Sequence, residues 1–431
     1  MNPLGVVRNF DADLYDYFGR ELRQQQQMLS FIADDNPTSP LCAAIMGSVL
    51  FNTTPRTALR QNVSLENLAV RRICELFHAE HANIKTITIE AAARIVFQAL
   101  TRRGDVVMSL DLRKKEHCNS ENLVYRFVNF GIDPQTQLLD MEAIEKQAMA
   151  CRPQMIVISP INYPRHIDYG RFAEIAQSCG AILWCDISQL AGLVAGGAVP
   201  PVFPHADVVT LTTHGALQGP LSSVILCKRD LAGTIDRMVI TSGHRGLQTA
   251  GLGALAARIG ELRSPCYAAY AARVLDNARE LAEGLTEGGL RLIAGGSDHH
   301  LVLVDAKSCA VSARGAQELL MDAGVLVRTC SVLTQDPRCK FDGIRISCLP
   351  ATTRGMGPDD MRSLGVAMAG YLSAPDDHNL SQLRDLVGSL ASRLPIFDER
   401  WVSPLVMENL RGLMPSHSLH ATAGGYEAAS G

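Results

Sequence analysis

Residues 207–220 read DVVTLTTHGALQGP. The first seven make a short run of strand length with Val208, Val209 and Leu211 as its apolar residues, after which come a histidine, His214, and a glycine, Gly215. Runs of the same kind recur along the chain: DVVMSLD (105–111), MIVISP (155–160), AILWCD (181–186) and SSVILCK (222–228). Between them, apolar residues return every three to four positions around residues 141–149 and 172–179, the period of a helix. Buried strands alternating with helices predict a mostly parallel sheet covered on both faces, an α/β architecture. Helical spacing also marks residues 14–32, 66–77 and 90–100, and an Ala-rich region, 247–285, leads to a second unit. That unit (LRLIAGG, HHLVLVDA, a helix at 317–323, VLVRT, GIRISCL, a helix at 360–371) reads as a smaller α/β domain. The expected organisation is an N-terminal helical arm at 1–35, a large domain at 36–285, a small C-terminal domain at 286–400 and a partly disordered tail at 401–431.

Composition excludes several classes. The chain has 431 residues, 47% hydrophobic, and a net charge of -4. It carries no basic excess for nucleic acid, no charge run for a membrane surface and no apolar run of transmembrane length. The opening MNPLGVVRNFDADLYDY has acids where a signal peptide has its apolar core. Twelve cysteines are scattered without any C-x-x-C spacing. Several, Cys185 and Cys227 among them, fall inside apolar strands, so they read as reduced thiols of a cytoplasmic protein and not as a disulfide frame or metal site.

Six blocks in order carry a resemblance: FIADDNPTSP (31–40), CDISQLAGLVAGG (185–197), DVVTLTTHGALQGP (207–220), LIAGGSDHHLVLVD (292–305), SVLTQDP (331–337) and GIRISCLPATTRG (343–355). Together they resemble the serine hydroxymethyltransferases over roughly residues 10–395. The resemblance implies a fold-type-I (aspartate-aminotransferase-like) pyridoxal-phosphate (PLP) transferase fold: a large mostly parallel sheet domain with helices on both faces, plus a small C-terminal α/β domain. It also implies a homodimer with active sites at the subunit interface, and serine–glycine interconversion with tetrahydrofolate.

Taken residue by residue, the resemblance keeps some groups. Asp186 ends AILWCD where the family carboxylate pairs with the pyridine nitrogen; an aspartate binding turn amides is the structural alternative. Arg345 matches the arginine that grips the substrate carboxylate, with a structural salt bridge as its alternative. His214 precedes the lysine position, and Asp35 falls in the block that matches the family's Ser-Glu-Asn. His117 aligns with the ring-stacking histidine or is an exposed loop histidine. No metal ligands are expected.

Other groups are absent. The family lysine that forms the Schiff base is Gly215 here, which removes the aldimine and a proton-transfer base together. Lys114 and Lys115 read as solvated, and Lys228 lies at the far end of the next strand. The phosphate cup, a Ser-Gly-Ser at a helix start, aligns with Thr88, Ile89 and Glu90. A carboxylate about 4 Å from a dianion costs on the order of 4 kcal/mol at an effective dielectric near 20. The family's tyrosine-bearing segment is the shorter FNTTPRTALRQNVSL (51–65), Lys115–Glu116 replaces a folate-loop glycine pair, Leu221 replaces an arginine, Gln189 a histidine, and SGHRG (242–246) a Gly-rich loop.

Concordant losses favour a pseudoenzyme without PLP, acting as a scaffold or as a regulatory partner of an active relative. The alternatives are a repurposed PLP-independent enzyme or small-carboxylate binder on the same fold, and a residual PLP-dependent glycine hydroxymethyltransferase using an unrecognised lysine. The expected assembly is a homodimer, or a heteromer with an active relative.

Overall fold

A computed structural model of the chain describes residues 3–53, 61–110, 125–335 and 339–397. After the N-terminal helices Pro3–Phe10 and Ala12–Gln27 comes a two-residue strand, β1 (Leu29–Ser30). The large sheet comprises β2 (His81–Asn83), β3 (Val106–Leu110), β4 (Arg126–Phe130), β5 (Met155–Ile158), β6 (Ile182–Asp186), β7 (Val208–Thr212) and β8 (Ser223–Cys227). The second unit holds β9 (Leu301–Asp305), β10 (Val325–Leu326), β11 (Arg328–Leu333) and β12 (Lys340–Ser347).

The seven-stranded order is β2-β8-β7-β6-β5-β3-β4. The five strands from β7 to β4 are parallel, and β8 and β2 close one edge antiparallel. Period-2 alternation divides the side chains between two helical layers. On β5, Ile156 and Ile158 enter the larger core cluster while Met155 and Val157 enter the other. Both sets are buried, which is why these strands read as unbroken apolar runs. Burial pushes the Cys227 thiol of β8 up to about 12, as expected of a reduced cysteine inside a core.

The smaller unit has the antiparallel order β11-β12-β9. Its core recruits the N-terminal arm, because β1 pairs in parallel with β10, and Leu29 and Phe31 join its buried cluster. The Ala-rich region 247–285 is two helices, Thr249–Leu262 and Pro265–Glu287, broken where Ser264 caps and Pro265 opens the second. The second helix serves both cores. Tyr267, Ala271 and Val274 pack with the large sheet, and Ala278, Leu281 and Leu285 with the small one. The sequence boundary at 285/286 therefore falls at the end of one continuous helix.

The helical spacing read over 14–32 ends early: the helix stops at Gln27, and its last turn is held from outside. Arg354 is 7% exposed. Its guanidinium donates to the carbonyls of Met28 (2.7 Å), Gln25 and Gln26, and to those of Leu394 (2.6 Å) and Ala391. These are the orphan C-terminal carbonyls of Ala12–Gln27 and of Asp377–Arg393, a helix the sequence reading had not marked. No carboxylate shares this site among the described ion pairs, and burial pulls the Arg354 pKa down to about 10. Arg354→Met keeps the apolar stem and removes every donor. It is expected to cost about 3 kcal/mol, read as a lowered urea midpoint at unchanged m-value; an unchanged midpoint would show the contact to be idle.

Candidate functional site

The carboxyl ends of β5, β6 and β7 open into a cavity of about 430 Å³. Such ends are the usual ligand crevice of an open α/β sheet. The strands and their exits supply Ile161, Asp186, Ser188, Gln189, Thr212 and His214. The turn Ala33–Asp35 supplies Asp34, and the start of the helix Ile89–Leu100 supplies Thr88, Ile89 and Glu90. Arg328 and Arg345 reach in from the small sheet, and Leu221 completes the wall.

Asp186 is 4% exposed, and both its oxygens are engaged. Oδ1 accepts from the Ser188 N–H (3.0 Å) and Oδ2 from the Thr210 hydroxyl (2.9 Å). The Trp184 indole N–H donates to the same Thr210 oxygen (3.0 Å), so a core aromatic orients the carboxylate. Asp186 thus accepts from a turn amide while its carboxylate lines the cavity.

His214 is half-buried, and its Nδ1 has no hydrogen-bond partner among the described residues. Burial pushes its pKa below the ordinary histidine value, against the raising pull of Asp34 and Glu90. Next to it, Gly215 is buried with φ +58°, in the left-handed region. A Cβ there would stand 3.2 Å from the Ala33 carbonyl oxygen. No lysine lines the cavity among the described residues. Lys228 lies at the opposite end of the strands, beside the start of β7, ion-paired with Asp207 at 2.6 Å. His117, Lys114, Lys115 and Glu116 lie outside the described residues.

At the aligned phosphate cup, the Thr88 hydroxyl caps the helix by accepting from the Ala91 N–H (3.2 Å), and the Thr88 carbonyl accepts from Ser223 (2.8 Å). Glu90 sits in the first helical turn, where a carboxylate offsets the dipole. It is exposed, so screening makes its repulsion of an anion smaller than the sequence reading supposed.

Arg345 donates from Nη2 to the Gln189 Oε1 (2.6 Å). Gln189, read from sequence as a lost histidine, is thus the arginine's positioning partner. Asp35 does not line this cavity. It accepts from Ser30 (2.8 Å) and borders a separate, larger cavity under the N-terminal arm, while its neighbour Asp34 takes the place in the cleft. Asp34 borders both cavities and Asp35 only the larger one, which residue order alone does not resolve. Arg328 was also missed; its only signal is its pairing opposite Arg345, which needs the strand register. Among the described residues no group of three or more His, Cys, Asp or Glu is placed to hold a metal ion, and no helix is long and apolar enough to cross a membrane.

A mostly parallel sheet whose carboxyl ends carry an aspartate and a histidine, closed by an arginine from a small C-terminal unit, defines the fold-type-I class of PLP-transferase folds. The family model for serine hydroxymethyltransferase matches residues 7–368. The chain is also 31% identical over 406 residues to the serine hydroxymethyltransferase of Coprothermobacter proteolyticus, covering 91% of this chain and 98% of that protein. The chain belongs to the serine hydroxymethyltransferase family.

Behind Arg345 lie two buried histidines, His299 and His300. His299 donates from Nε2 to the Tyr163 carbonyl (2.9 Å) and accepts the Leu301 N–H at Nδ1 (3.3 Å), a tautomer assigned from these partners. Burial first, then Arg345 and His166, pull its pKa down to about 4, against the Tyr163 carbonyl and Asp298. Burial, His299 and Arg345 lower His300 as well. An unfolded histidine takes up its proton near pH 6.5. Between that value and about 4 the unfolded chain therefore binds more protons, so stability present above pH 6.5 is lost as pH falls. His299 alone is expected to contribute about 3 kcal/mol of this loss. Chemical denaturation from pH 7 to pH 4 should show the slope, and His299→Gln should flatten it; an equal slope in the variant would rule the assignment out.

Proposed function

We propose that this member of the family uses the scaffold without covalent PLP chemistry, as a pseudoenzyme serving as a scaffold or as a regulatory partner of an active relative. The observation that carries this reading is Gly215 at the position where the family bears its Schiff-base lysine. A lysine there would have to adopt a left-handed backbone, at a cost of roughly 1–2 kcal/mol, with its Cβ 3.2 Å from the Ala33 oxygen. The surroundings do not fit the cofactor either. The described cavity lining has no amine for the aldehyde, and the helix start meant for the phosphate is capped by Thr88 and flanked by Glu90. Adding PLP to the purified protein is expected to produce no aldimine absorption band and no borohydride-trapped adduct. A trapped adduct would instead support PLP-dependent hydroxymethyl transfer, the activity in the relative's name.

Assembly is the second half of the reading. Phe10 is 87% exposed, and Leu14, Tyr17 and Phe18 continue an uncovered apolar stripe along the adjoining helix. Val49 (80% exposed) and Phe51 (57%) add to the uncovered apolar surface. These residues support a homodimer, or a heteromer in which this chain replaces one subunit of an active enzyme. The cytoplasm is the proposed location, supported by thiols such as Cys185 and Cys227 buried without partners in the sheet. Co-expressed with an active relative, the two chains are expected to elute together from a sizing column and to change that enzyme's activity. Clean separation would remove the regulatory-partner role.

A PLP-independent small-carboxylate binder is favoured by one specific observation. Two arginines, Arg328 and Arg345, still face the cavity.

A further inference from the structure

The cavity under the N-terminal arm, of about 680 Å³, is within the range of small-molecule sites. Much of its wall is apolar: Met28, Leu29, Leu326, Pro350, Ile396 and Phe397. Arg354 also lines it, but the five N–H groups of that guanidinium are all spent on backbone carbonyls. No donor of Arg354 is left for an anion entering the cavity.

The other charges on the lining are all negative: Glu21, Asp34 and Asp35. Among the described residues Glu21 accepts from the neutral Gln25 amide (2.5 Å) and Asp35 from the Ser30 hydroxyl (2.8 Å), and no ion pair includes any of the three. Arg20 and Arg23, on the same helix as Glu21, stay off the lining. The carboxylates are not gathered at one point either. Glu21 stands two helical turns, about 10 Å, before Met28, whereas Asp34 and Asp35 lie in the turn that follows β1. Among the described residues no three such groups are placed to hold a metal ion. Separated, unneutralised carboxylates beside an apolar wall complement a ligand with positive charges at its ends and methylenes between them.

We propose that this cavity binds a linear aliphatic polyamine non-covalently. One ammonium lies at Glu21, another at Asp34 and Asp35, and the methylene chain covers the apolar wall between them. A monoamine would leave one end of the cavity unneutralised, and a divalent metal ion would cover no apolar surface. Glu21 and Asp35 lie outside the cleft at the strand ends, so a test made through them is independent of PLP there.

Isothermal titration of the full chain at low ionic strength tests it with spermidine, n-butylamine, magnesium chloride and trilysine. The expected result is saturable binding of spermidine, about tenfold or more tighter than n-butylamine, magnesium or trilysine. Glu21→Gln and Asp35→Asn, both at exposed positions, should keep the melting temperature and each weaken spermidine by about threefold, and by about tenfold together. Four results would overturn the proposal. They are no saturable binding of spermidine, equally tight n-butylamine or magnesium (a general counter-ion effect), an unchanged affinity in the double variant, and tighter binding of trilysine, which would make the cavity a site for a basic peptide.

Discussion

The buried guanidinium of Arg258 holds the turn after β7, and much of the molecule is organised around that turn. Arg258 is 6% exposed and donates to the Leu217 carbonyl (2.6 Å), Gln218 Oε1 (2.6 Å) and Glu261 (2.8 Å), with its carbon centre 4.9 Å from the Tyr267 ring. Gln218 has φ +56°, unfavourable for a residue with a Cβ, so the turn persists only because its surroundings determine it. Its side chain then reaches Thr353 (3.0 Å), whose hydroxyl donates to Asn36 (2.7 Å). Asn36 returns to the Gly215 carbonyl (2.8 Å). One closed polar network thus joins the N-terminal segment, the large sheet and the helix Leu349–Arg354 of the small unit. Removing one member of such a buried network leaves other charges or dipoles unsatisfied, so it costs more than the single bond deleted.

This arrangement holds the walls of the cleft from outside it. The backbone around Gly215 is fixed by partners outside the cavity: Asn36 from the N-terminal segment, and Arg258 through Leu217 and Gln218. Asp186 is likewise fixed from behind, through Thr210 and Trp184, and Trp184 packs edge-on against Phe97 at 5.0 Å. None of these supports needs a cofactor in the cleft. A chain can therefore change the groups facing the cavity while the layers beneath keep their packing.

The strands were the most legible part. β3, β5, β6, β7 and β8 are buried on both faces, and a fully buried strand leaves an uninterrupted apolar signature. β4 was missed because Arg126, Phe127, Val128 and Asn129 stay partly or fully accessible at the sheet edge, and the run RFVNF mixes polar with apolar residues. The helix Asp377–Arg393 was missed for a related reason: it buries only a narrow stripe, Leu383, Val387, Leu390 and Ala391. In the site, Asp186, His214 and Arg345 were legible because each sits inside a recognisable block. Arg328, Asp34 and the role of Gln189 were not, because each depends on which side chains a turn or a strand pairing brings face to face.

The sequence by itself determined the α/β class, the family and the glycine at position 215, because these depend on residue types and their order along the chain. Only the tertiary structure decided that Gly215 has a left-handed backbone against the Ala33 carbonyl, that Asp34 and not Asp35 faces the cleft, and that Arg328 stands beside Arg345. Periodicity records which face of an element is buried. It does not record what a distant element presses against that face, and the character of this cleft is set by contacts between residues up to some three hundred positions apart.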